Sequence, residues 1–269
     1  MSRKRHSAAD EPFLIVRTAA SDHRAAAVIP THAHDWHQLA YVSRGLMAVS
    51  TESGSWIAPP NWAIWIPAGV RHSIRFVSDS SLRTAYVRPE SRADFPSACS
   101  VITVSPLMRE LILHTAARVM LDVRDDYDAA LALLLASGLH QSDVPSFNLP
   151  HPVSAAMAQA AWLIAHGAPE AATLASLSET LGMGVRTFER RFLAETGLTP
   201  GRWRQQNALL RGLEQLALGE SIKAIATAAG YSTPSAFIVA FRKTFGTTPG
   251  RYFPIKGTEH LIGSSALSP

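Results

Sequence analysis

This chain of 269 residues has only one cysteine, no long apolar run and no strong excess of one charge. Its single cysteine, Cys99, cannot form an intramolecular disulfide or supply a multi-cysteine zinc site. No apolar run is long enough to span a bilayer, and the basic N-terminus precedes no apolar segment of the secretory type. We therefore expect a cytoplasmic protein with no membrane partner.

The charges that are present are distributed unevenly. The net charge is +4, yet residues 1–169 contain 14 basic and 14 acidic side chains. Residues 170–256 contain 11 basic and 6 acidic side chains, so the basic surplus lies in the C-terminal third. Such a surplus attracts phosphate groups. With 47% hydrophobic and 17% charged residues, the composition is typical of a folded protein, and the length suits two domains.

The N-terminal half changes from a strand pattern to a helix pattern. Residues 13–88 contain short segments rich in β-branched and aromatic residues, which predict an all-β barrel or sandwich. The predicted strands are Phe13–Arg17, Gln38–Val42, Leu46–Ser50, Trp62–Ile66, His72–Val77 and Leu82–Val87. From Pro106 to Leu121, and again over Tyr127–Leu139, the apolar residues follow a helical period. We expect these two helices to cover the barrel edge or to pair with a second subunit.

The C-terminal third contains the same pattern twice, 49 residues apart. Phe188 and Phe192 precede Gly197-Leu-Thr-Pro, and Phe237 and Phe241 precede Gly246-Thr-Thr-Pro. Phenylalanines at i and i+4 share one helix face, the glycine can stop that helix and the Thr-Pro can start the next. A short Ala-rich segment and a Gly-containing turn lie upstream of each copy. This pattern predicts two helix-turn-helix units.

We expect the following organisation from these patterns. Residues 1–142 form a sensing and dimerisation domain, 143–152 a Pro-containing linker, 153–255 an all-α DNA-binding domain and 256–269 a disordered tail. The predicted helices are Val153–His166, Leu174–Leu181, Val185–Glu195, Pro200 to about Leu218, Ile222–Ala229 and Pro234–Phe245.

The side of each repeated helix opposite its phenylalanines is a candidate DNA-reading surface. In the first unit it carries Arg186, Glu189 and Arg190, whose side chains suit guanine and cytosine edges. In the second unit the surface is less polar, and we expect thymine-methyl and phosphate contacts from it. Its candidate residues are Thr233, Ser235, Ile238, Val239 and Arg242. The alternative for any one of these residues is an ordinary solvated helix face.

Residues from about 155 to 255 resemble the DNA-binding domain of the AraC/XylS family of bacterial transcription regulators. The matching residues are Leu181-Gly-Met183, Arg186-Thr-Phe-Glu-Arg-Arg-Phe192, Thr196-Gly-Leu-Thr-Pro200, Ala229-Gly-Tyr-Ser232, Phe241-Arg-Lys243 and Gly246-Thr-Thr-Pro249. The resemblance implies two helix-turn-helix units joined by a long helix, with one helix of each in successive major grooves. The chain departs from the family at Gly184, where a serine cap is common, and at Val239, where the first unit has an arginine.

Histidines in the β region follow a second recognisable spacing. His32-Ala-His34, Gln38 and Gly45, followed by Pro67-Ala-Gly-Val-Arg-His72, are similar to the two cupin motifs. The chain departs from these motifs at Gln38, which replaces the usual glutamate, and at Asn61, which replaces a glycine. His32, His34 and His72 can bind a divalent metal, with Gln38 nearby. Alternatively, the four residues line a metal-free effector pocket, or the histidines are core residues bonded to the backbone.

Together these features favour a transcription factor whose binding to double-stranded promoter DNA is modulated by a small molecule or metal in the barrel. We expect no catalytic residues, a homodimer, and contact with RNA polymerase as a further partner. The rival hypothesis is a metal-dependent cupin enzyme, an oxygenase or isomerase, with an accessory helical domain. A purely architectural DNA binder is a third class, but it would have no use for a hollow sensor domain.

Overall fold

The computed structural model describes residues 13–91, 94–139, 148–167 and 173–252. Residues 143–147 of the expected linker, 253–255 of the expected DNA-binding domain and the expected tail lie outside the described residues. By compactness the chain divides into two units, residues 1–206 and 207–269. Within the described ranges, every helix falls short of the length and apolarity that a bilayer crossing requires.

Two antiparallel sheets form the N-terminal β domain, as the strand pattern predicted. One sheet has the order β10-β1-β8-β3-β6-β9, and the other has the order β11-β5-β4-β7-β2. The strands are β1 (Leu14–His23), β2 (Val28–His32), β3 (His37–Arg44), β4 (Met47–Thr51), β5 (Gly54–Ala58), β6 (Trp62–Ile66), β7 (His72–Phe76), β8 (Ser80–Val87), β9 (Ser100–Thr103), β10 (Met120–Asp122) and β11 (Asn148–Pro150). Their inward side chains form an apolar core that includes Leu39, Tyr41 and Trp65.

Two helices follow the barrel strands, α1 (Pro106–Ala116) and α2 (Asp126–Ser137). Ser105 and Asp125 cap their N-termini by accepting backbone N–H groups. The expectation that the first helix continues to Leu121 is wrong, because Met120–Asp122 forms β10 and pairs with β1. Val119, at a φ of 66°, turns the chain out of the helix direction. Buried residues of both helices pack on the barrel core.

The helices of the C-terminal third are α3 (Ala155–His166), α4 (Leu174–Thr180), α5 (Val185–Thr196), α6 (Pro200–Ala217), α7 (Ile222–Ala228), α8 (Pro234–Phe245) and α9 (Pro249–Tyr252). The six helices predicted for this third agree with the observed α3 to α8 to within one or two residues, and the short α9 was not predicted. In the first unit of the chain, Phe188 and Phe192 are fully buried in a core with Met157 and Trp203. In the second, Phe237, Phe241 and Phe245 are buried on one side of α8. The i, i+4 phenylalanines therefore define the inner faces of α5 and α8.

Part of the expected linker is a strand. Asn148–Pro150 pairs antiparallel with β5 at the end of its sheet. This strand thus has two sets of contacts, since it pairs with β5 and its Leu149 packs against the core around Phe188 and Phe192. A proline at the C-terminal end of an edge strand costs no ladder hydrogen bond on the solvent side, which is why this segment can pair despite its composition.

Candidate DNA-binding surface and histidine site

The outer face of α5 presents the charged residues that the repeat predicted. Arg186 and Arg190 are exposed, and Glu189 is half-buried between them. Leu193 continues this face with 45% of its surface exposed. All four lie opposite Phe188 and Phe192, as the 3.6-residue period requires. The face is thus free to contact a groove, and its two guanidinium groups can donate to guanine edges or phosphates.

The outer face of α8 carries fewer charged residues and more apolar surface than the outer face of α5. Ser235 and Arg242 are exposed, and Val239 exposes 69% of its surface. Ile238 is half-buried, one residue after the buried Phe237. Thr233 is the N-cap residue, and its hydroxyl accepts the backbone N–H of Ala236 at 3.2 Å. The hydroxyl of Thr233 therefore caps the start of α8, and the residue is exposed.

The starts of the two candidate reading helices differ. Thr233 caps α8, whereas Gly184 precedes α5 without any side-chain cap. An N-cap side chain is worth about 1 kcal/mol relative to alanine, and glycine gives up only part of this. The predicted departure at Gly184 is thus present, and α5 depends more on its buried phenylalanines than on its cap.

Three histidines converge at the edge of the β domain. His32 ends β2 and pairs directly with His72 at the start of β7. His34 follows just beyond the end of β2, so it does not share a strand with His32. The chain nevertheless brings its ring to 5.6 Å from that of His32 and 5.0 Å from that of His72, between centroids. One ligand nitrogen from each of the three lies within 4.8 Å of the others.

Hydrogen bonds to the backbone show that Nδ1 of each of the three rings carries a proton. The Nδ1 atoms of His32, His34 and His72 lie 2.8, 2.7 and 2.9 Å from the carbonyl oxygens of Pro30, Trp36 and Val70. A carbonyl oxygen only accepts, so each Nδ1 carries the proton and donates it. In a neutral ring the Nε2 lone pair is then available. Metal-binding histidines are commonly oriented in this way, by a second N–H bonded to a carbonyl.

His72 contributes the most buried of these nitrogens. Its side chain is fully buried, and its Nε2 has no hydrogen-bond partner among the described residues. Burial lowers the pKa of His72 to about 4, with the hydrogen bond to Val70 opposing this shift and His32 and His34 adding to it. The ring is therefore neutral near pH 7. A buried acceptor without a partner costs free energy, and a cation bound at Nε2 would recover it.

Gln38 and Tyr86 border the histidines from the opposite sheet. Gln38 lies on β3 and is 2% exposed, with its Oε1 2.9 Å from Nε2 of His34. An amide oxygen only accepts, so each of the two ring nitrogens of His34 faces an acceptor, Oε1 of Gln38 at Nε2 and the carbonyl oxygen of Trp36 at Nδ1. Tyr86 pairs with Gln38 in the β3–β8 ladder and meets the His34 ring edge-on at 5.0 Å. All four predicted effector residues are thus brought together, with a neutral amide in place of a carboxylate.

His37 lies outside this histidine cluster. Its Nδ1 accepts the backbone N–H of Ala68 at 3.0 Å, which is the opposite protonation to the other three rings. The ring packs against Trp65 and Phe95, and burial lowers its pKa while Glu90 opposes that shift.

The local backbone structure requires a glycine at position 45, the last residue of the first histidine motif. Its φ is +91°, and a Cβ there would lie 2.3 Å from Oγ of Ser80 and 2.4 Å from the carbonyl oxygen of Asp79. Only glycine fits this close approach. It fixes the turn between β3 and β4.

Sequence reasoning missed Tyr86 and the carbonyl groups of Pro30, Trp36 and Val70. Tyr86 lies within a predicted strand, but its place beside Gln38 depends on the strand register, which the alternation pattern alone does not give. The carbonyl partners have no side-chain signal at all.

Comparison with known proteins agrees with both halves of this arrangement. Residues 15–177 match a family described as the AraC-like ligand binding domain, and residues 177–254 match a helix-turn-helix domain family. The chain is 33% identical over 226 residues to the HTH-type transcriptional regulator NimR of Escherichia coli, covering 83% of this chain and 81% of that protein. It is also 33% identical over 110 residues to the HTH-type transcriptional regulator RipA of Corynebacterium glutamicum, covering 40% of this chain and 32% of that one.

Among solved structures, ToxT from Vibrio cholerae aligns with 90% of this chain and 98% of its own, at 13% identity and a TM-score of 0.35. A cupin-like β domain followed by two helix-turn-helix units defines a DNA-binding regulator with a sensor domain. The chain belongs to the AraC family of transcription regulators, with an N-terminal ligand-binding domain and a C-terminal helix-turn-helix DNA-binding domain.

Proposed function

We propose that this regulator reads double-stranded DNA with the outer faces of α5 and α8, and that occupancy of the histidine site changes its DNA affinity. The observation that carries the first part is the pair of Phe-anchored helices whose opposite faces are exposed. Arg186, Glu189 and Arg190 supply polar readout in the first helix-turn-helix unit. Ser235 and Val239 supply contacts with thymine methyl groups in the second, and Arg242 binds phosphate.

The proposed domains follow the sequence boundaries, with a sensor at 1–142, a linker at 143–152 and the DNA-binding domain at 153–255. The protein acts in the cytoplasm on promoter DNA, and it is a regulator and not an enzyme. Its relatives support this choice, since they are transcription regulators.

The histidine site suits a divalent metal. Nε2 of His32, His34 and His72 would hold the ion, in the three-histidine arrangement that leaves one position open. When bound, the metal would supply a Lewis-acidic contact for an effector oxygen or a water molecule. The fixed Nδ1–H groups and the unpartnered Nε2 of His72, within the described residues, support this choice over purely structural histidines. A metal-free polar pocket remains the second candidate, favoured by the neutral Gln38.

A second copy of the chain is the proposed partner of α1 and α2. Leu107, Leu133 and Leu134 expose 73%, 65% and 54% of their surfaces on these two helices. Large exposed apolar side chains on helices that contact each other are a reason to propose a protein interface. Sedimentation of Leu133→Glu should give a monomer where the unchanged protein gives a dimer; equal masses would remove the proposal.

The function is tested by capture of genomic fragments on the purified protein, with metal analysis of the same preparation. Enrichment of a few discrete sites is expected. A His32→Ala/His34→Ala variant should keep its affinity for those sites while losing the response to added metal or effector. If the variant unfolds, the histidines are structural. If the unchanged protein enriches no site, the DNA-binding proposal fails.

A further inference from the structure

The strand β11 is hydrogen-bonded on one side to the sensor barrel and on the other to α6, the helix that follows the first helix-turn-helix unit. On the barrel side it pairs with β5, with Leu149 opposite Ser55 and Pro150 opposite Gly54. The next residue, His151, continues this contact. Its N–H donates to the carbonyl of Ser53, and its Nε2 lies 3.0 Å from Oγ of Ser55.

Gly54 makes this close pairing possible. A Cβ at Gly54 would lie 2.9 Å from the carbonyl oxygen of Leu149, closer than ordinary contacts allow. This carbonyl oxygen belongs to the backbone, so a side chain at position 54 must push β11 away from β5. The close pairing of β11 with β5 thus depends on the absence of a side chain at Gly54.

The other side of β11 is held by α6. The indole N–H of Trp203 donates to the carbonyl of Pro150 at 2.8 Å, and the side-chain amide of Gln206 donates to the carbonyl of Asn148. Leu149 packs against the same core that buries Phe188, Phe192 and Trp203. The phenylalanines of this core fix the position of α5, the candidate reading helix. A displacement of β11 would therefore disturb the support of α5.

The sheet that ends in β11 also contains two of the three histidines. In the order β11-β5-β4-β7-β2, each strand is hydrogen-bonded to its neighbours, and the last two carry His72 and His32. An occupant that draws these histidines together acts on β7 and β2. A continuous hydrogen-bonded ladder therefore connects the strands of these two histidines with β11, and close-packed structure can transmit strain along it.

We propose that β11 is the element through which the sensor barrel controls the first helix-turn-helix unit. Docked on β5, it holds α6 and the core beneath α5 in one arrangement; released, it leaves that core without its Leu149 contact. The inference rests on the proposed control of DNA binding by the barrel. Coupling between two sites is reciprocal, so DNA binding must also change the barrel at β5.

Hydrogen exchange on the full-length protein tests this without knowledge of the effector. In the unchanged protein, a captured DNA fragment should alter exchange in the peptide covering Gly54–Ala58 by a factor of about 5 or more, the lower range of known couplings. Trp203→Phe keeps an aromatic ring in the core but removes the N–H donor to Pro150. It should abolish most of the change at β5 while DNA is still bound. Gly54→Val, which displaces β11 from the barrel side, should have the same effect.

Trp162→Phe is the matched control, because Trp162 is exposed on α3 and stacks on His166 instead. It should leave the DNA-dependent change at β5 intact. If DNA binds but β5 exchange does not change, or if it changes equally in Trp203→Phe, β11 is not the coupling element and the DNA-binding proposal still stands. If the unchanged protein does not bind DNA in a parallel anisotropy titration, the proposed function and this inference fail together.

Discussion

Arg190 and Val239 occupy equivalent positions in the two helix-turn-helix units, each two residues after the first buried phenylalanine of its helix. Both are exposed, but one carries a guanidinium group and the other a branched apolar side chain. The two units therefore have different chemistry at the same place in the repeat. A bidentate donor can distinguish guanine from other bases, whereas an isopropyl group can only favour a thymine methyl.

Replacing Arg190 tests direct readout by α5. We expect Arg190→Ala to weaken binding at the cognate site by about 1–3 kcal/mol and to relax base preference at one position. Arg190→Lys is the matched control, since it keeps the charge but loses the planar fork. It should restore affinity for random DNA without restoring that base preference. Equal losses on cognate and random DNA, measured by anisotropy, would mean that Arg190 contacts phosphate only.

Val239 is expected to act through apolar contact. Val239→Ala should cost about 1 kcal/mol at the cognate site, in keeping with about 0.8 kcal/mol for each buried methylene. Replacing the contacted thymine by uracil should cost a similar amount, and the two changes together should cost little more than either one. Additive losses would show that the side chain and the methyl group do not touch.

Much of the helical third could be predicted because its signals are local. Helix starts follow from capping residues such as Ser221 and Thr233, and helix ends from glycines such as Gly197 and Gly246, which adopt positive φ. The buried phenylalanines followed from the i, i+4 spacing. Local sequence signals do not determine which DNA groups α5 and α8 contact, so these contacts stay a prediction.

Five of the described strands were not predicted, namely β2, β5, β9, β10 and β11. Of these, β2 and β11 were missed for a shared physical reason. Each contains a proline, Pro30 in β2 and Pro150 in β11, and a proline in a sequence usually indicates a loop or the end of a strand. Each also lies at an end of the five-stranded sheet, where a missing N–H is tolerated. The histidine spacing still predicted the cluster, although His34 lies beyond its strand. The Nδ1 donors could not be predicted, because their carbonyl partners depend on the folded backbone.

Metal binding at the histidine site can be measured on the purified protein. We expect about one Zn²⁺ per chain by calorimetry, and a His32→Ala/His34→Ala variant that binds none. His166→Ala is the control, since His166 is exposed on α3 beside Trp162. It should bind as the unchanged protein does. Equal Zn²⁺ binding by the double variant would exclude this cluster, and absence of binding in all three would favour the metal-free pocket.

His151 is expected to make stability depend on pH. Burial lowers the pKa of His151 from its ordinary value of 6.5, against a smaller opposing effect of a backbone hydrogen bond at Thr51. The unfolded chain then binds more protons below about pH 6.5, so the free energy of unfolding falls as the pH falls through this range. Urea unfolding at about pH 7.5 and about pH 5.5 should show a smaller loss in His151→Gln than in the unchanged protein. Equal losses would show that His151 is protonated as readily in the folded protein as in the unfolded chain.

The most direct measurement is a titration of the full-length protein with a captured promoter fragment at several salt concentrations. The exposed cationic faces of α5 and α8 predict tight binding at low ionic strength and a logarithm of affinity that falls linearly with the logarithm of salt, by about 0.9 for each phosphate neutralised. Arg242→Ala should lessen that slope by about 1. A protein that leaves the fragment unbound at low ionic strength, or binds it with no dependence on salt, would contradict DNA recognition by these two helices.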